Sequence, residues 1–281
     1  MMRYSVKSFL RSVFSRLSVM TAPRIAGFET PKKPRPISGS MEARSQNDYK
    51  FQKVIYKNNR SIMRYSGFSD DGPDFALLHG GGWYSGKPGD KDYWLDYLLP
   101  RSRSVNMIEY GVAALHRSTI EDSFKDARVA AQWIADVPAA KAGVVLMGFS
   151  AGAAMAVDVA LTMAPDDVAG LLLFSPVTDL SADGFKSKMT GDAGHLNLSP
   201  VHRIAQDAGR LACPCLIFHG VNDSTVPLAA SRHFAQVWRQ TQTGPCHLFE
   251  VPQCGHGLDK IQRGFARSCA ELDAHFFSPD P

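Results

Sequence analysis

Val144 to Met163 reads VVLMGFSAGAAMAVDVALTM. The run up to Phe149 has the length and apolar content of a buried strand. From Ala151 small and aliphatic residues continue to Met163 at helical length. Between the two lies Gly148-Phe149-Ser150-Ala151-Gly152, a G-x-S-x-G sequence. In a strand-to-helix setting the glycines permit a sharp turn that lifts the serine side chain above the sheet, and the helix that follows aims its N-terminus at that point. The spacing alone recurs by chance, so the setting carries the meaning.

Working outward, strand and helix alternate. YKFQKVIYK (49–57) and SIMRYSG (61–67) suggest edge strands, and DFALLHG (74–80) a short buried one. SVNMIEYG (104–111) is another strand, followed by a helix from Ile120 to Asp136 in which Phe124, Val129, Trp133 and Ile134 can turn inward. VAGLLLFSP (168–176), CPCLIFHG (213–220) and CHLFEVP (246–252) continue the strands, with helices over Leu228–Thr241 and about Leu258–Phe277. Apolar strands with helical crossovers define an α/β chain whose mostly parallel central sheet is covered by helices on both faces. Sites in such sheets form beyond the carboxyl ends of the strands.

Two further strand ends carry chemistry. FHGVNDSTVP (218–227) offers Asp223, and VPQCGHGLD (251–259) offers His256 between two glycines. A serine hydroxyl is a weak nucleophile at neutral pH; a histidine can take its proton, and a carboxylate can fix the histidine's tautomer. Alone, an aspartate after a strand is a turn former and a histidine between glycines a loop residue. Together with Ser150 they fall at strand ends in the order serine, aspartate, histidine. A fourth strand end, FALLHGGGWYSG (75–86), runs into three consecutive glycines, which are conformationally costly unless the backbone needs them.

Composition bounds the rest. The 281 residues are 44% apolar and 21% charged, ordinary for one large α/β domain. A net charge of +4 gives no case for nucleic acid. Cys213, Cys215, Cys246, Cys254 and Cys269 are odd in number and lack a C-x-x-C pair, so neither a disulfide framework nor a zinc site is expected. No apolar run is long enough to span a bilayer. Residues 1–45 read as a basic N-terminal segment and connector. Val6, Phe9 or Leu10, Val13 or Phe14, and Leu17 recur at helical spacing among Arg3, Lys7, Arg11 and Arg16, and then comes TPKKPRPISGSMEARSQND (30–48). An organelle transit peptide, a membrane-surface helix and a helix packed over the domain all fit the segment. It lacks a secretory core, so a cytoplasmic location is the expectation.

From about Tyr49 onward the chain resembles the α/β hydrolases, in particular small esterases related to hormone-sensitive lipase and kynurenine formamidases. HGGGW (79–83), GFSAGA (148–153), Asp223 in HGVNDSTVP and His256 in GHG carry the resemblance. It implies a catalytic domain over 46–281 with a small lid at about 177–205. Ser150, Asp223 and His256 would be the catalytic residues, and Gly81, Gly82 and Ala151 would supply oxyanion-hole N–H groups, with Gly80 an alternative donor. Trp83 and Tyr84 would line the substrate site. The implied reaction is hydrolysis of short-chain or small aryl esters without metal or organic cofactor. Two other functions remain open: an arylformamidase or amidase, and a non-catalytic ligand-binding protein of this fold. The chain departs from related esterases in having IEYGVAALHRS (108–118) after the next strand and a short basic segment in place of a large cap.

Overall fold

The computed structural model describes residues 41–44, 49–57, 59–137, 142–191 and 193–277. The amphipathic stretch read at the N-terminus lies outside them, as does Asp192. Among the described residues nine strands form one sheet: β1 Met41–Arg44, β2 Lys50–Lys57, β3 Arg60–Ser66, β4 Asp74–Leu78, β5 Ser104–Ile108, β6 Val144–Phe149, β7 Val168–Phe174, β8 Cys215–Gly220 and β9 Cys246–Val251. Their spatial order is β1-β2-β3-β5-β4-β6-β7-β8-β9. The first three add on antiparallel, and β4 to β9 run parallel. The strand Met41–Arg44 falls within the stretch that reads as connector. Four residues among proline, serine and charge give no alternating signal of their own; they become a strand by pairing with Lys50–Lys53.

The principal helices are α1 Ile120–Ala135, α2 Ala151–Thr162, α3 Pro200–Gln206, α4 Leu228–Thr241 and α5 Gln262–Leu272. Because side chains alternate across a strand, neighbouring residues feed two cores. Leu78, Leu146, Leu171, Leu173 and Ile217 pack against α1, α2 and α4 on one face. Phe75, Met147, Phe149, Phe174 and Phe218 pack with Trp94, Leu98, Leu258 and Leu272 on the other. On this second face the aromatic rings of Phe149, Phe174, Phe218 and Phe249, on β6 to β9, stack at centroid distances of 4.9, 5.1 and 5.1 Å. Their register is direct, each ring opposite the next.

Thr119 starts α1 as a capping box with Asp122. Its buried stripe is Ile120, Phe124, Ala127, Ala131 and Ile134, at helical spacing. Val129, expected to face inward, is 37% exposed. Five residues beyond Phe124 it has turned through about 500°, which carries it well away from the stripe. The terminal helical region is also broken: Leu258–Lys260 is one 3₁₀ turn, α5 follows, and Asp273–Phe277 widens into a π turn.

One ion cluster ties the helices together. The buried Asp158 of α2 accepts from Arg128 Nε and Nη2 at 2.6 and 2.7 Å and from Arg203 Nη1 at 2.6 Å. It thereby links α1 and α3 to the helix that begins at Ser150. Removing one partner of a buried pair leaves the others uncompensated, and partial exposure of the arginines tempers the loss. Asp158→Ala is therefore expected to lower unfolding free energy by about 2 kcal/mol, read by urea denaturation, with α2 and α3 losing amide protection first.

Candidate active site

Adjacent strand ends assemble the site. Strands β4 and β6 pair with Leu78 opposite Gly148, so the glycine loop after β4 and the serine turn after β6 leave the sheet side by side. Ser150 has φ +53° and ψ −116°, a conformation rare for a residue with a side chain. Two fixed points hold it there: its N–H donates to Phe174 O at 2.9 Å and its carbonyl accepts from Val177 N–H at 3.2 Å. The flanking glycines are there for want of room. A methyl on Gly148 would stand 2.4 Å from Ala153 Cα, and one on Gly152 2.1 Å from the Leu78 carbonyl oxygen.

Asp223 follows β8. Its Oδ1 accepts from Thr225 and Val226 N–H at 2.8 and 2.9 Å. Its Oδ2 lies 2.8 Å from His256 Nδ1, and His256 Nε2 lies 2.9 Å from Ser150 Oγ. Burial would raise the pKa of this carboxyl, but the Val226 N–H, His256 and the Thr225 N–H outweigh it and hold the group below its ordinary value. His256 thus donates from Nδ1 and presents Nε2 as an acceptor to the serine hydroxyl. Its side chain is 29% exposed, so the row opens to solvent at this end while the Asp223 carboxylate is enclosed. The two loops are also locked to each other. Asn222 N–H donates to Cys254 O at 2.9 Å, and a methyl on Gly220 would meet that same oxygen at 2.4 Å. Cys254, conspicuous near His256 in the sequence, is a buried spacer here, and all five cysteines are free.

The glycine loop is held from beneath. The buried His79 stacks on Tyr110 at 4.1 Å, its Nδ1 donates to Gly80 O at 2.7 Å, and the Tyr110 hydroxyl donates to His79 O at 2.7 Å. Tyr110 escaped sequence reading because IEYG carries no motif that ties it to HGGGW. Gly80 abuts the serine directly: a methyl there would lie 3.3 Å from Ser150 Cβ. Gly81 and Gly82 adopt φ of +121° and +59°, which suits glycine, and Gly81 O accepts from Tyr84 and Ser85 N–H to close the turn. Among the described residues, the N–H groups of Gly81, Gly82 and Ala151 donate to no backbone or side-chain acceptor.

Trp83 needs correction as a residue open to a ligand. It is 0% exposed and packs on Phe124 at 6.3 Å, beneath the loop. Its own carbonyl accepts from Ala113 N–H, so the backbone turns the ring into the core. Tyr84, 44% exposed, points outward and carries Lys188 Nζ 5.1 Å above its ring. Lys188 belongs to the segment between β7 and α3, whose ends are anchored by the buried Val177, Leu180, Leu198 and Val201. In that segment His195 Nδ1 lies 2.9 Å from Glu121, and Asp179 accepts from Ser181 N–H at 2.8 Å. Glu109 and His116 engage local partners: Ser61 Oγ donates to Glu109 at 2.5 Å, and Val112 N–H to His116 Nδ1 at 3.0 Å. A surface hollow of about 650 Å³ lined by Lys87, Asp90, Tyr93 and Asp259 includes none of Ser150, Asp223 and His256. Among the described residues, no cluster of histidine, cysteine and carboxylates is placed to hold a metal ion, and no helix is long and apolar enough to cross a membrane.

Burial pulls the His79 imidazole down to about 4, despite the opposing pull of the Gly80 carbonyl. The unfolded chain therefore takes up this proton near pH 6.5 and the folded chain only near 4, so stability falls as pH drops through that window and is restored above it. Equilibrium unfolding from pH 7.5 to 4.5 is expected to show this loss, amounting to about 3 kcal/mol at the acid end. His79→Gln is expected to start less stable at pH 7.5 and to show a shallower fall.

Residues 75–206 match a sequence family described as the alpha/beta hydrolase fold. No curated protein matches the chain significantly in sequence. Among solved structures, a thermophilic esterase from the planctomycete Thermogutta terrifontis with propionate bound superposes with a TM-score of 0.68 at 23% identity, covering 82% of this chain and 97% of that one. Its butyrate-bound form gives 0.68 at 24% identity over 82% and 96%. Esterase 2 of the same organism, phosphonylated by sarin, gives 0.68 at 22% over 89% and 100%. With the parallel sheet, the turn at Ser150 and the matched family in agreement, the chain has the α/β-hydrolase fold.

Proposed function

We propose that this chain is a serine hydrolase that cleaves carboxylic esters through an acyl-enzyme on Ser150. The observation that carries the reading is the continuous row Ser150 Oγ, His256 Nε2, His256 Nδ1, Asp223 Oδ2, with steps of 2.9 and 2.8 Å across its two hydrogen bonds. In this reading Ser150 Oγ attacks the ester carbonyl carbon as its proton passes to His256 Nε2. The tetrahedral oxyanion is received by the Ala151 N–H and by the N–H groups of Gly81 and Gly82, donors already fixed in place. When the carbon–oxygen bond to the alcohol breaks, His256 returns the proton to the departing oxygen. Water then attacks the acyl-enzyme, gives its proton to His256, and frees the acid and Ser150.

Short acyl chains are the proposed substrates. Propionate and butyrate occupy the Thermogutta esterase of similar fold. The reading is tested with acyl lengths from acetyl to palmitoyl, each offered with an alcohol and an amine leaving group. Hydrolysis should be greatest for short esters, and Ser150→Ala should lower kcat on the order of 10⁴-fold while leaving the unfolding transition in place. A fluorophosphonate probe should label the wild type and not the variant. Strong preference for N-formyl aryl amides would move the assignment to an arylformamidase. Absence of both turnover and labelling would leave a ligand-binding protein of this fold.

A further inference from the structure

The Asp223 carboxylate has a neighbour that the row from Ser150 does not use. His219, on β8, is fully buried. Its Nε2 lies 3.0 Å from the Val226 carbonyl oxygen and 3.2 Å from Asp223 Oδ2. Both neighbours are acceptors, so Nε2 carries the hydrogen. On the far side of the ring, Nδ1 lies 2.8 Å from Ser231 Oγ, on α4 and also buried, and accepts from that hydroxyl. Burial pushes the His219 pKa down, against the pull of Val226 and Asp223, which keeps the ring neutral in the tautomer these contacts require.

We propose that His219 is a positioning residue that holds the Asp223 carboxylate in line with His256, its own tautomer being set by Ser231. This rests on the hydrolase reading above. The reason lies in how a carboxylate can move. Thr225 and Val226 N–H grip Oδ1 alone, and a group gripped at one oxygen can swing the other. His219 acts on both halves of that problem. Its bond to Val226 O pins the turn whose N–H groups hold Oδ1, and its polar N–H edge also lies 3.2 Å from Oδ2, the oxygen that faces His256. A buried histidine could instead serve packing alone, in which case its loss would lower stability without altering the chemistry of the protein that remains folded.

The test compares wild type with His219→Leu, His219→Gln and Ser231→Ala in the full chain, measuring kcat and KM on a short-chain ester together with the rate and end-point of fluorophosphonate labelling. Leucine removes the donor, whereas glutamine places an amide N–H at a reach close to that of Nε2. His219→Leu should lower kcat about tenfold at nearly constant KM, the scale of one hydrogen bond to a charged group. Labelling should slow in parallel while still reaching the wild-type end-point, and His219→Gln should recover most of the rate. Ser231→Ala, which frees the tautomer, should give a smaller fall of the same kind. The proposal is overturned if His219→Leu labels fully with unchanged kcat, or if glutamine restores nothing. Should the leucine variant fail to fold, Ser231→Ala decides: a lower kcat at constant KM supports the proposal, and wild-type kcat refutes it. Ser150→Ala runs alongside, and full activity there would sink the hydrolase reading itself, whatever the His219 variants do.

Discussion

The start of α2 touches the end of β4 with no space for a side chain between them, and the rest of the site is arranged around that contact. A methyl on Gly152 would run into the carbonyls of Leu78 and His79, at 2.1 and 2.4 Å. Close approach of a helix to a neighbouring strand does two things at once. It forces the chain to reverse sharply at Ser150, which accounts for the positive φ there. It also brings the N-terminus of α2 beside the glycine loop, where Gly80 abuts Ser150. Strain of this kind, on the order of 1–3 kcal/mol, persists only where packing over-determines it. Here the stacked Phe149, Phe174, Phe218 and Phe249 lie directly beneath, and Lys91 Nζ sits 3.8 Å over Phe149 while paired at 2.6 Å with Asp259.

What sequence made legible was whatever depends on local pattern. The parallel strands, their order along the chain and the long helices follow from apolar runs and turn residues, and the helix over Leu228–Thr241 has those bounds in the structure. Ser150, Asp223 and His256 could be picked out because each sits at a strand end, where one residue decides what projects above the sheet. Contacts across the sheet were not legible. Tyr110 under His79 depends on which strands become neighbours, and spacing does not encode that; His219 beside Asp223, four residues on, depends instead on how the turn after β8 folds back. Trp83 illustrates a different limit. In HGGGW it looks like an aromatic at the mouth of a site, yet it has a positive φ, after two glycines that also have one, and its ring is buried in the core. Ring direction is a matter of backbone dihedrals rather than residue type.

Two kinds of rigidity meet at this end of the sheet. On one side the 220–226 turn is joined backbone to backbone to the end of β9, through Val221 N–H and Val251 O, and to the 254–257 loop, through Asn222 N–H and Cys254 O. The histidine and aspartate they carry are therefore placed by hydrogen-bonded main chain, which moves little on the time scale of side-chain rotation. On the other side the segment leading from β7 to α3 is fixed at its ends, by the bond from Val177 N–H to Ser150 O and by Arg203 on Asp158. Its middle meets the glycine loop through Lys188 over Tyr84 and α1 through His195 against Glu121. Half-exposed charge contacts of that sort contribute little each. Chemistry and access thus belong to different parts of the molecule. The atoms in the serine row are held by buried backbone bonds, while the segment around Lys188 and Tyr84 is held by solvated side chains. Replacement of Tyr84 or Lys188 can reshape that segment without disturbing a single hydrogen bond of the row, whereas a side chain added at Gly152 or Gly220 would run into the main chain of Leu78 or Cys254 and reach the row through it.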